Sequence, residues 1–174
     1  FISAAPQDKN TDQLLTYLSE LEKDVNGKKY GLVFEEHQEA IDTILAENTP
    51  VLTEEPSLLI DKGGEMNFLL EGDNLAALRL LEKTHRGKID LIYIDPPYNT
   101  GNKDFIYDDI FVDKTDTFIH SKWLSFISER LKLVPRLLSE NGAIVISIGY
   151  QEVHNLVMLC QEIFFDKQVV CVTV

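Results

Sequence analysis

The sequence is short of cysteine, methionine and tryptophan, and it contains no long apolar run. Its 174 residues include two cysteines, two methionines and one tryptophan. A membrane-spanning helix needs about eighteen or more consecutive apolar residues, and no stretch approaches that length. The opening FISAAPQDKN lacks the basic and apolar regions of a secretory signal. These absences predict a soluble, cytoplasmic protein with no membrane association.

Neither the cysteines nor the four histidines show the spacing of metal ligands. Cys160 and Cys171 stand in apolar stretches (LVMLCQEIF and VVCVTV), so we expect both to be reduced core residues. The histidines are scattered, and the serines lack a histidine and aspartate partner pattern. The sequence therefore predicts no metal site, no histidine base and no hydrolase chemistry.

Basic residues are few relative to acidic ones. The chain has 16 Lys and Arg against 29 Asp and Glu, a net charge of −13. That sign disfavours a domain that binds nucleic acid phosphates by itself. The acidity is concentrated in residues 1–66, which hold 14 acids and 5 bases, whereas residues 67–174 hold 15 and 11. With 44% hydrophobic residues the chain can still fill a core.

The charge distribution and the hydrophobic spacing divide the chain in two. Residues 1–65 are predicted to be an acidic, largely helical region, with a turn at NGKKYG between its two helices. Residues 66–174 alternate apolar strands with amphipathic helices, which predicts an α/β domain with a mostly parallel sheet covered on both faces. The helical patterns of the first region are Leu14, Leu15, Leu18 and Leu21, then Ala40, Ile41, Ile44 and Leu45.

The second region is predicted to contain four strands and three helices. A polar loop of about twenty residues follows the second strand, and Asn141-Gly142 is predicted to end the long helix from Leu124 to Leu138. In order, the pattern predicts strand MNFLL, helix NLAALRLLEKTH, strand Ile89–Ile94, the loop, the long helix, strand AIVISIG, a helix over residues 153–164 and strand QVVCVTV.

The run Asp95-Pro96-Pro97-Tyr98 directly follows an apolar strand, where ligands bind in parallel sheets. Its two prolines restrict the backbone and remove two N–H donors. The remaining polar groups are acceptors, namely the Asp95 carboxylate and the Pro96 carbonyl, beside the flat ring of Tyr98. The plainer interpretation is that the run merely ends a strand and that Tyr98 is a part-buried aromatic.

Acceptors beside a stacking surface suit an exocyclic amine on a planar base. Two acceptors can each take one N–H, direct the nitrogen lone pair at an electrophile and stabilise the developing positive charge. This chemistry is amino-group methylation. Because that nitrogen is inaccessible in a duplex, the base must be flipped out and stacked, which we assign to Tyr98.

Residues around two strand ends are further candidates. Asp73 could contact a cofactor or simply cap the following helix, and these roles are compatible. Gly72 could allow close approach of a ligand or only a turn. Asn99, Thr100 and Gly101 are expected to border the pocket, with a plain solvent turn as the alternative. The loop aromatics Phe105 and Tyr107, and Trp123 on the long helix, are expected to pack on their own domain.

The segment IDLIYIDPPYNTGNKDFIYDD, with LLEGDNLAALRLL before it and HSKWLSFISERLKLVPRLLSENGAIVISI after it, resembles the adenine-specific DNA methyltransferases of the β arrangement. It resembles especially the modification subunits of type III restriction-modification systems. The resemblance implies a Rossmann-like S-adenosylmethionine-dependent fold and N6-methyladenine as product. It implies catalysis by Asp95, Pro96, Pro97 and Tyr98, cofactor binding by Gly72, Asp73 and Asn74, and substrate binding by Asn99, Thr100 and Gly101.

Two departures from that family pattern stand out. Gly149-Tyr150-Gln151 occupies the place where members often carry an acidic pair, so we assign no catalytic role there. A glycine-rich cofactor loop (FxGxG) is absent. We therefore expect the catalytic N-terminal half of a longer enzyme, inactive alone. Its partners would be double-stranded DNA, bound through a downstream region, a restriction subunit and a second copy in a homodimer.

Two other functions stay open. One is amine methylation of RNA or of a protein glutamine, although proteins of that kind usually have NPPY after a glycine loop. The other is a non-catalytic assembly module whose acidic helices bind a partner.

The resemblance also predicts the strand pairing. Ile89–Ile94 should pair with Ala143–Ile148 on one side. Its other edge should be bare, so we expect either dimerisation through that edge or MNFLL packed beside it. Residues 99–119 should be poorly ordered in the absence of cofactor and DNA.

Overall fold

The computed structural model describes residues 14–21, 31–60, 63–65 and 67–173. The chain divides between Val33 and Phe34 into two compact units. In the first unit residues 14–21 are helical (α1), as the leucine spacing predicted. The predicted NGKKYG turn lies outside the described residues, apart from Gly31. The functional division of the chain at residue 65 stays a prediction.

The second unit is a mixture of helices and short strands, which confirms the α/β class. The helices predicted around residues 40–45, 74–85 and 153–164 and the strand at 89–94 are all present. In chain order the elements are α2 (Ala40–Glu47), a 3-10 turn (Pro56–Leu58), α3 (Asn74–Thr84), β1 (Ile89–Ile94), β2 (Asn102–Tyr107), β3 (Ile110–Asp113), α4 (Ile119–Leu131), α5 (Val134–Leu137), β4 (Leu138–Ile146) and α6 (Val153–Ile163).

Strands β1 and β4 form a parallel pair, and this confirms the predicted partner of β1. Leu91 lies opposite Ala143 and Ile94 opposite Ile146, so the residues that follow both strands emerge side by side. The register shifts near the start of the pair, where Gly142 lies close to β1. A Cβ at Gly142 would lie 2.8 Å from the Ile89 carbonyl oxygen, so a larger residue would force the strands apart.

The predicted polar loop is instead an antiparallel hairpin of β2 and β3, so the expectation of poor order over residues 99–119 was wrong for its larger part. The hairpin is held by aromatic packing. Phe105 is fully buried and meets Phe126 of α4 edge-on at 5.4 Å between ring centroids, and Tyr107 is also buried. The predicted inward packing of both loop aromatics is therefore confirmed.

The long helix predicted from Leu124 to Leu138 is interrupted. Helix α4 ends at Leu131, the short α5 follows, and Leu138 already begins β4. Pro135 accounts for the break, because it has no N–H to donate to the carbonyl four residues earlier, at Leu131. Asn141-Gly142 consequently lies within β4 and does not end a helix.

Two predicted strands are absent from the described residues. Residues 67–70 of MNFLL and residues 168–173 of QVVCVTV have no regular structure, while Met66 and Val174 lie outside the described residues. A strand must pair to satisfy its backbone hydrogen bonds, and in the described chain β1 and β4 pair only with each other. Phe68 and Leu69 are accordingly exposed.

The expectation of a sheet covered on both faces was also wrong for the described part of the chain. Leu91, Tyr93 and Val145 on one face of the β1 and β4 pair are at least half exposed. The core lies instead around α4, whose Trp123, Leu124, Ile127 and Leu131 are buried.

The cysteine predictions divide between the two residues. Cys160 is a buried core residue whose pKa is raised to about 11 by burial, as expected. Cys171 is exposed, because the strand that would have buried it does not form. Both thiols are free.

No helix among the described residues is long and apolar enough to span a bilayer. No group of side chains in the same residues could hold a metal ion.

Candidate functional site

The turn Asp95–Tyr98 lies directly after β1, at the carboxyl end of the parallel pair. The Asp95 side chain is exposed and Pro96 is buried, so the turn is anchored while its carboxylate faces outward. Tyr98 is 38% exposed, which leaves part of its ring accessible. The predicted acceptors and the aromatic ring therefore stand at one edge of the sheet.

Asp95 has a hydrogen-bond donor on the neighbouring strand end. The Ser147 hydroxyl donates to Asp95 Oδ1 at 2.5 Å, and its amide donates to the Ile94 carbonyl at 3.1 Å. Ser147 is the residue directly after β4, so the parallel register brings it beside Asp95. Sequence reasoning missed Ser147, although counting one residue beyond each paired strand would have found it.

The second proline is held by the tryptophan. Trp123, fully buried in α4, donates from Nε1 to the Pro97 carbonyl at 2.7 Å. Its predicted packing role is confirmed, but the hydrogen bond to the turn was not anticipated. Among the described residues the Pro96 carbonyl accepts no hydrogen bond, so it keeps its acceptor capacity.

Tyr98 lies against the chain that follows β4. A Cβ at Gly149 would lie 3.2 Å from Tyr98 Cδ2 and 2.6 Å from Gln151 Oε1. Glycine thus lets the ring and this segment approach closely. No catalytic role was assigned to Gly149, and the structure gives it a packing role at the ring.

Asn99, the next residue, is buried and in the left-handed backbone region with φ 58°. Its amide Nδ2 donates to Glu152 Oε1 at 2.5 Å and to the Ile119 carbonyl at 3.1 Å. Sequence reasoning passed over Glu152. It is separated from Asn99 by 53 residues, and no local motif marks it.

Thr100 and Gly101 connect the turn to the hairpin. The Thr100 amide donates to both oxygens of Asp104, at 3.1 and 2.9 Å. Burial acts to raise the pKa of Asp104, but the hydrogen bonds from Thr100 outweigh it and lower the pKa below its usual range. Gly101 has φ 71°, and any Cβ there would overlap the Lys114 side chain. The substrate role assigned to residues 99–101 stays a prediction.

Gly72 and Asp73 form the turn before α3, and Asn74 is the first residue of that helix. Asp73 caps this helix, since Oδ1 accepts the Ala76 amide at 3.0 Å. Gly72 has φ 146° with open space where a Cβ would be. The cap function is therefore confirmed, while the cofactor contact stays a prediction.

The Asn74 side chain is engaged by a buried arginine. Asn74 Oδ1 accepts from Arg130 Nε at 2.6 Å, and Arg130 Nη1 donates to Glu39 Oε2 at 2.6 Å. The guanidinium also lies 3.7 Å from the Phe126 ring centroid. Burial raises the pKa of Glu39, and Arg130 offsets only part of that shift.

Helix α4 thus supports both predicted site turns. Trp123 near its start holds the Asp95–Tyr98 turn, and Arg130 near its end holds the turn before α3. The helix also receives the upstream segment, because the His37 amide donates to Ser125 Oγ at 2.9 Å.

Comparison with known proteins finds similar sequences for this region. Residues 89–172 match the family described as DNA methylase, N6_N4_Mtase. The protein named "probable type III restriction-modification enzyme HindVI Mod subunit", from Haemophilus influenzae, is 43% identical over 56% of this chain and 12% of its own length. The EcoPI Mod subunit of a type III restriction-modification enzyme, from Escherichia phage P1, is 37% identical over 56% of this chain and 19% of its own length.

A type II enzyme is similarly close. The methyltransferase M.KpnI of Klebsiella pneumoniae is 44% identical over 53% of this chain and 22% of its own length. The chain therefore spans only 12–22% of the length of these three relatives. The matched residues 89–172 include the Asp95–Tyr98 turn, Trp123, Ser147 and Glu152. Residues 89–172, which hold the predicted catalytic turn, are thus similar in sequence to the family described as DNA methylase.

Proposed function

We propose that this chain supplies the catalytic turn of a site-specific DNA adenine-N6 methyltransferase in a type III restriction-modification system. The observation that carries the proposal is the turn Asp95–Tyr98. It presents an outward carboxylate, a carbonyl to which no described residue donates a hydrogen bond, and a part-exposed aromatic ring at the carboxyl end of a parallel strand. The match to DNA methylases and to Mod subunits supports it.

The two acceptors account for activation of the adenine amine. Asp95 and the Pro96 carbonyl each accept one N–H of the exocyclic nitrogen, which directs its lone pair outward. Ser147 donates to Oδ1 of Asp95, so Oδ2, which has no donor among the described residues, is the oxygen best placed to accept an N–H of the amine. The same carboxylate stabilises the positive charge that develops on nitrogen as the new bond forms.

Tyr98 supplies the surface for the flipped base. The Gly149 segment lies against its ring, and part of the side chain stays exposed. Stacking of a base on an aromatic side chain contributes about 1–3 kcal/mol, enough to offset part of the cost of leaving the duplex.

The turn before α3 suits a cofactor with hydroxyl groups. The Asp73 carboxylate is exposed, and its capping contact uses only Oδ1, so Oδ2 can accept a hydroxyl. The open space at Gly72 allows a ligand to approach the backbone. These features fit S-adenosylmethionine, which when bound supplies an electrophilic methyl group. We extend the proposal to a Rossmann-like fold for the complete methyltransferase domain.

The partners follow from charge and from the relatives. With a net charge of −13, this chain is expected to contact duplex DNA weakly by itself, so other parts of the protein would supply most phosphate contacts. A restriction subunit and a second copy of the modification subunit are the proposed protein partners. The matching family is described as DNA methylase, which favours DNA over RNA or a protein glutamine as substrate.

Substitution of Asp95 in the full-length protein tests the function. Asp95→Ala should abolish N6-methyladenine formation, measured by mass spectrometry of digested DNA, with S-adenosylmethionine as donor. The matched control is Asp90→Ala. Asp90 lies on the same strand and accepts from Ser139 at 2.7 Å, an equivalent serine contact five residues from the turn. Normal methylation by Asp95→Ala, or N4-methylcytosine as the product of the unmodified protein, would contradict the proposal.

A further inference from the structure

The carboxylate of Glu152 is fully buried beside the catalytic turn and accepts three hydrogen bonds. Oε1 accepts from Asn99 Nδ2 at 2.5 Å and pairs with His120 Nδ1 at 2.6 Å, while Oε2 accepts from Asn155 Nδ2 at 2.7 Å. Burial of a carboxylate is costly unless donors surround it. The arrangement is therefore a specific one, and the activation chemistry proposed for Asp95 and Pro96 does not use it.

The donors differ in their surroundings. Asn99 is buried, whereas the His120 side chain is 59% exposed, so the network reaches from the core to the surface. Each donor comes from a different part of the chain: the end of the catalytic turn, the start of α4 and the first turn of α6. Glu152 joins these three elements at one point.

Glu152 acts on both sides of Tyr98. Its side chain holds Asn99, the residue that follows Tyr98, in the left-handed conformation with φ 58°. Its backbone amide donates to the Gly149 carbonyl at 3.4 Å, in the segment that lies against the Tyr98 ring. Glu152 thus contacts both the residue that follows Tyr98 and the segment that packs against the Tyr98 ring.

We propose that Glu152 is a positioning residue that presets Tyr98 for the flipped base through its hydrogen bond to Asn99. The inference rests on the proposed methyltransferase function. Two acceptor oxygens are needed, because Oε1 accepts from two donors and Oε2 from a third, and neither carboxylate oxygen carries a hydrogen. A glutamine of the same size would place an N–H group against one of the donors.

The test uses Glu152→Gln, Asn99→Gly and the double variant in the full-length protein, with Glu129→Gln as control. Asn99→Gly keeps a residue that tolerates positive φ and removes the side-chain amide, with its bonds to Glu152 and to the Ile119 carbonyl. Glu129 lies on α4, where its Lys132 contact at 2.7 Å is on the surface. Capture of the base is followed with 2-aminopurine at the target position, whose fluorescence rises on flipping, alongside kcat and KM.

Each single variant should lower kcat/KM for DNA about tenfold and reduce the 2-aminopurine signal. The KM for S-adenosylmethionine should stay within about twofold. Because both variants break the same link, the double variant should be no worse than either single one. Glu129→Gln should behave as the unmodified protein. Effects that multiply in the double variant, or an unchanged 2-aminopurine signal, would overturn the inference.

The outcomes separate this inference from the proposed function. If the protein without substitutions does not methylate adenine, the proposed function is refuted. If that protein is active and the variants are equally active, only the role of Glu152 is refuted. If Glu152→Gln does not fold by circular dichroism, Asn99→Gly decides alone. A folded Asn99→Gly variant with the tenfold loss supports the inference, and one with normal activity refutes it.

Discussion

Replacement of Trp123 by phenylalanine should weaken both the fold and the catalytic turn. The change keeps an aromatic ring in the core but removes the Nε1 donor that lies 2.7 Å from the Pro97 carbonyl. Loss of one hydrogen bond costs about 1 kcal/mol net, and a carbonyl left without its partner costs about 1–3 kcal/mol. Since Pro97 is only half-buried, water can replace part of that contact and the lower value applies.

The void left by the smaller ring adds about 1 kcal/mol, because a cavity of a methyl group or more costs roughly that amount. The expected total is about 2 kcal/mol in the free energy of unfolding, measured by urea denaturation of the 174-residue chain. About 1 kcal/mol of this total comes from the hydrogen bond to Pro97. If the same energy is lost from transition-state stabilisation by the catalytic turn, kcat/KM should fall about fivefold.

The control is Ile127→Val in the same helix, which is buried but cannot hydrogen bond to the turn. It should cost about 1 kcal/mol in stability and leave methylation unchanged. Equal activity losses for the two variants would mean that stability alone explains the effect. An unchanged free energy of unfolding in Trp123→Phe would refute the reasoning.

Three further outcomes are expected. Ser147→Ala should lower kcat about threefold to tenfold, as judged by methyl transfer rates, because a hydrogen bond to the Asp95 carboxylate is lost, whereas Ser139→Ala should have no effect. Arg130→Met should lower the free energy of unfolding in urea by about 3 kcal/mol, because it leaves the largely buried carboxylate of Glu39 unpaired. Carbon NMR should show the Glu39 pKa raised further, and adding Glu39→Gln should recover part of the lost stability; a double variant that is less stable than Arg130→Met would contradict this. The lowered pKa of Asp104 means that its bond to Thr100 stabilises the fold above the ordinary carboxyl pKa of about 3.9 and that this contribution is lost as the pH falls through the lower folded-state value. Asp104→Asn should therefore flatten the pH dependence of unfolding below about pH 4, and an identical slope would count against the Thr100 contact.

The local signals in the sequence predicted much of the fold. Period and capping identified α2, α3, β1 and α6, because each of these elements is specified by its own residues, as Asp73 specifies the start of α3. The predictions failed where an element needs a neighbour. MNFLL and QVVCVTV have the composition of strands, but strands also require pairing partners, and composition cannot supply them.

The candidate site divides in the same way. The four residues of the Asp95–Tyr98 turn are contiguous, so they can be recognised in the sequence as a motif. Ser147, Trp123 and Glu152 reach that turn from positions 25 or more residues away, and only the register and the helix packing reveal them. Pro135 lies in the predicted helix and has no N–H, and this alone indicates that α4 ends before it.

Helix α4 also sets the distance between its contacts with the two turns. Trp123 and Arg130 are seven positions apart, which is close to two turns and about 10.5 Å along the axis at 1.5 Å per residue. The two side chains therefore point to nearly the same side of the helix, one to the turn predicted to meet the base and the other to the turn predicted to meet the cofactor. The number of residues between Trp123 and Arg130 therefore sets the spacing of the two contacts along α4. A single inserted residue between these positions would rotate Arg130 by about 100° and leave the two turns with no common support.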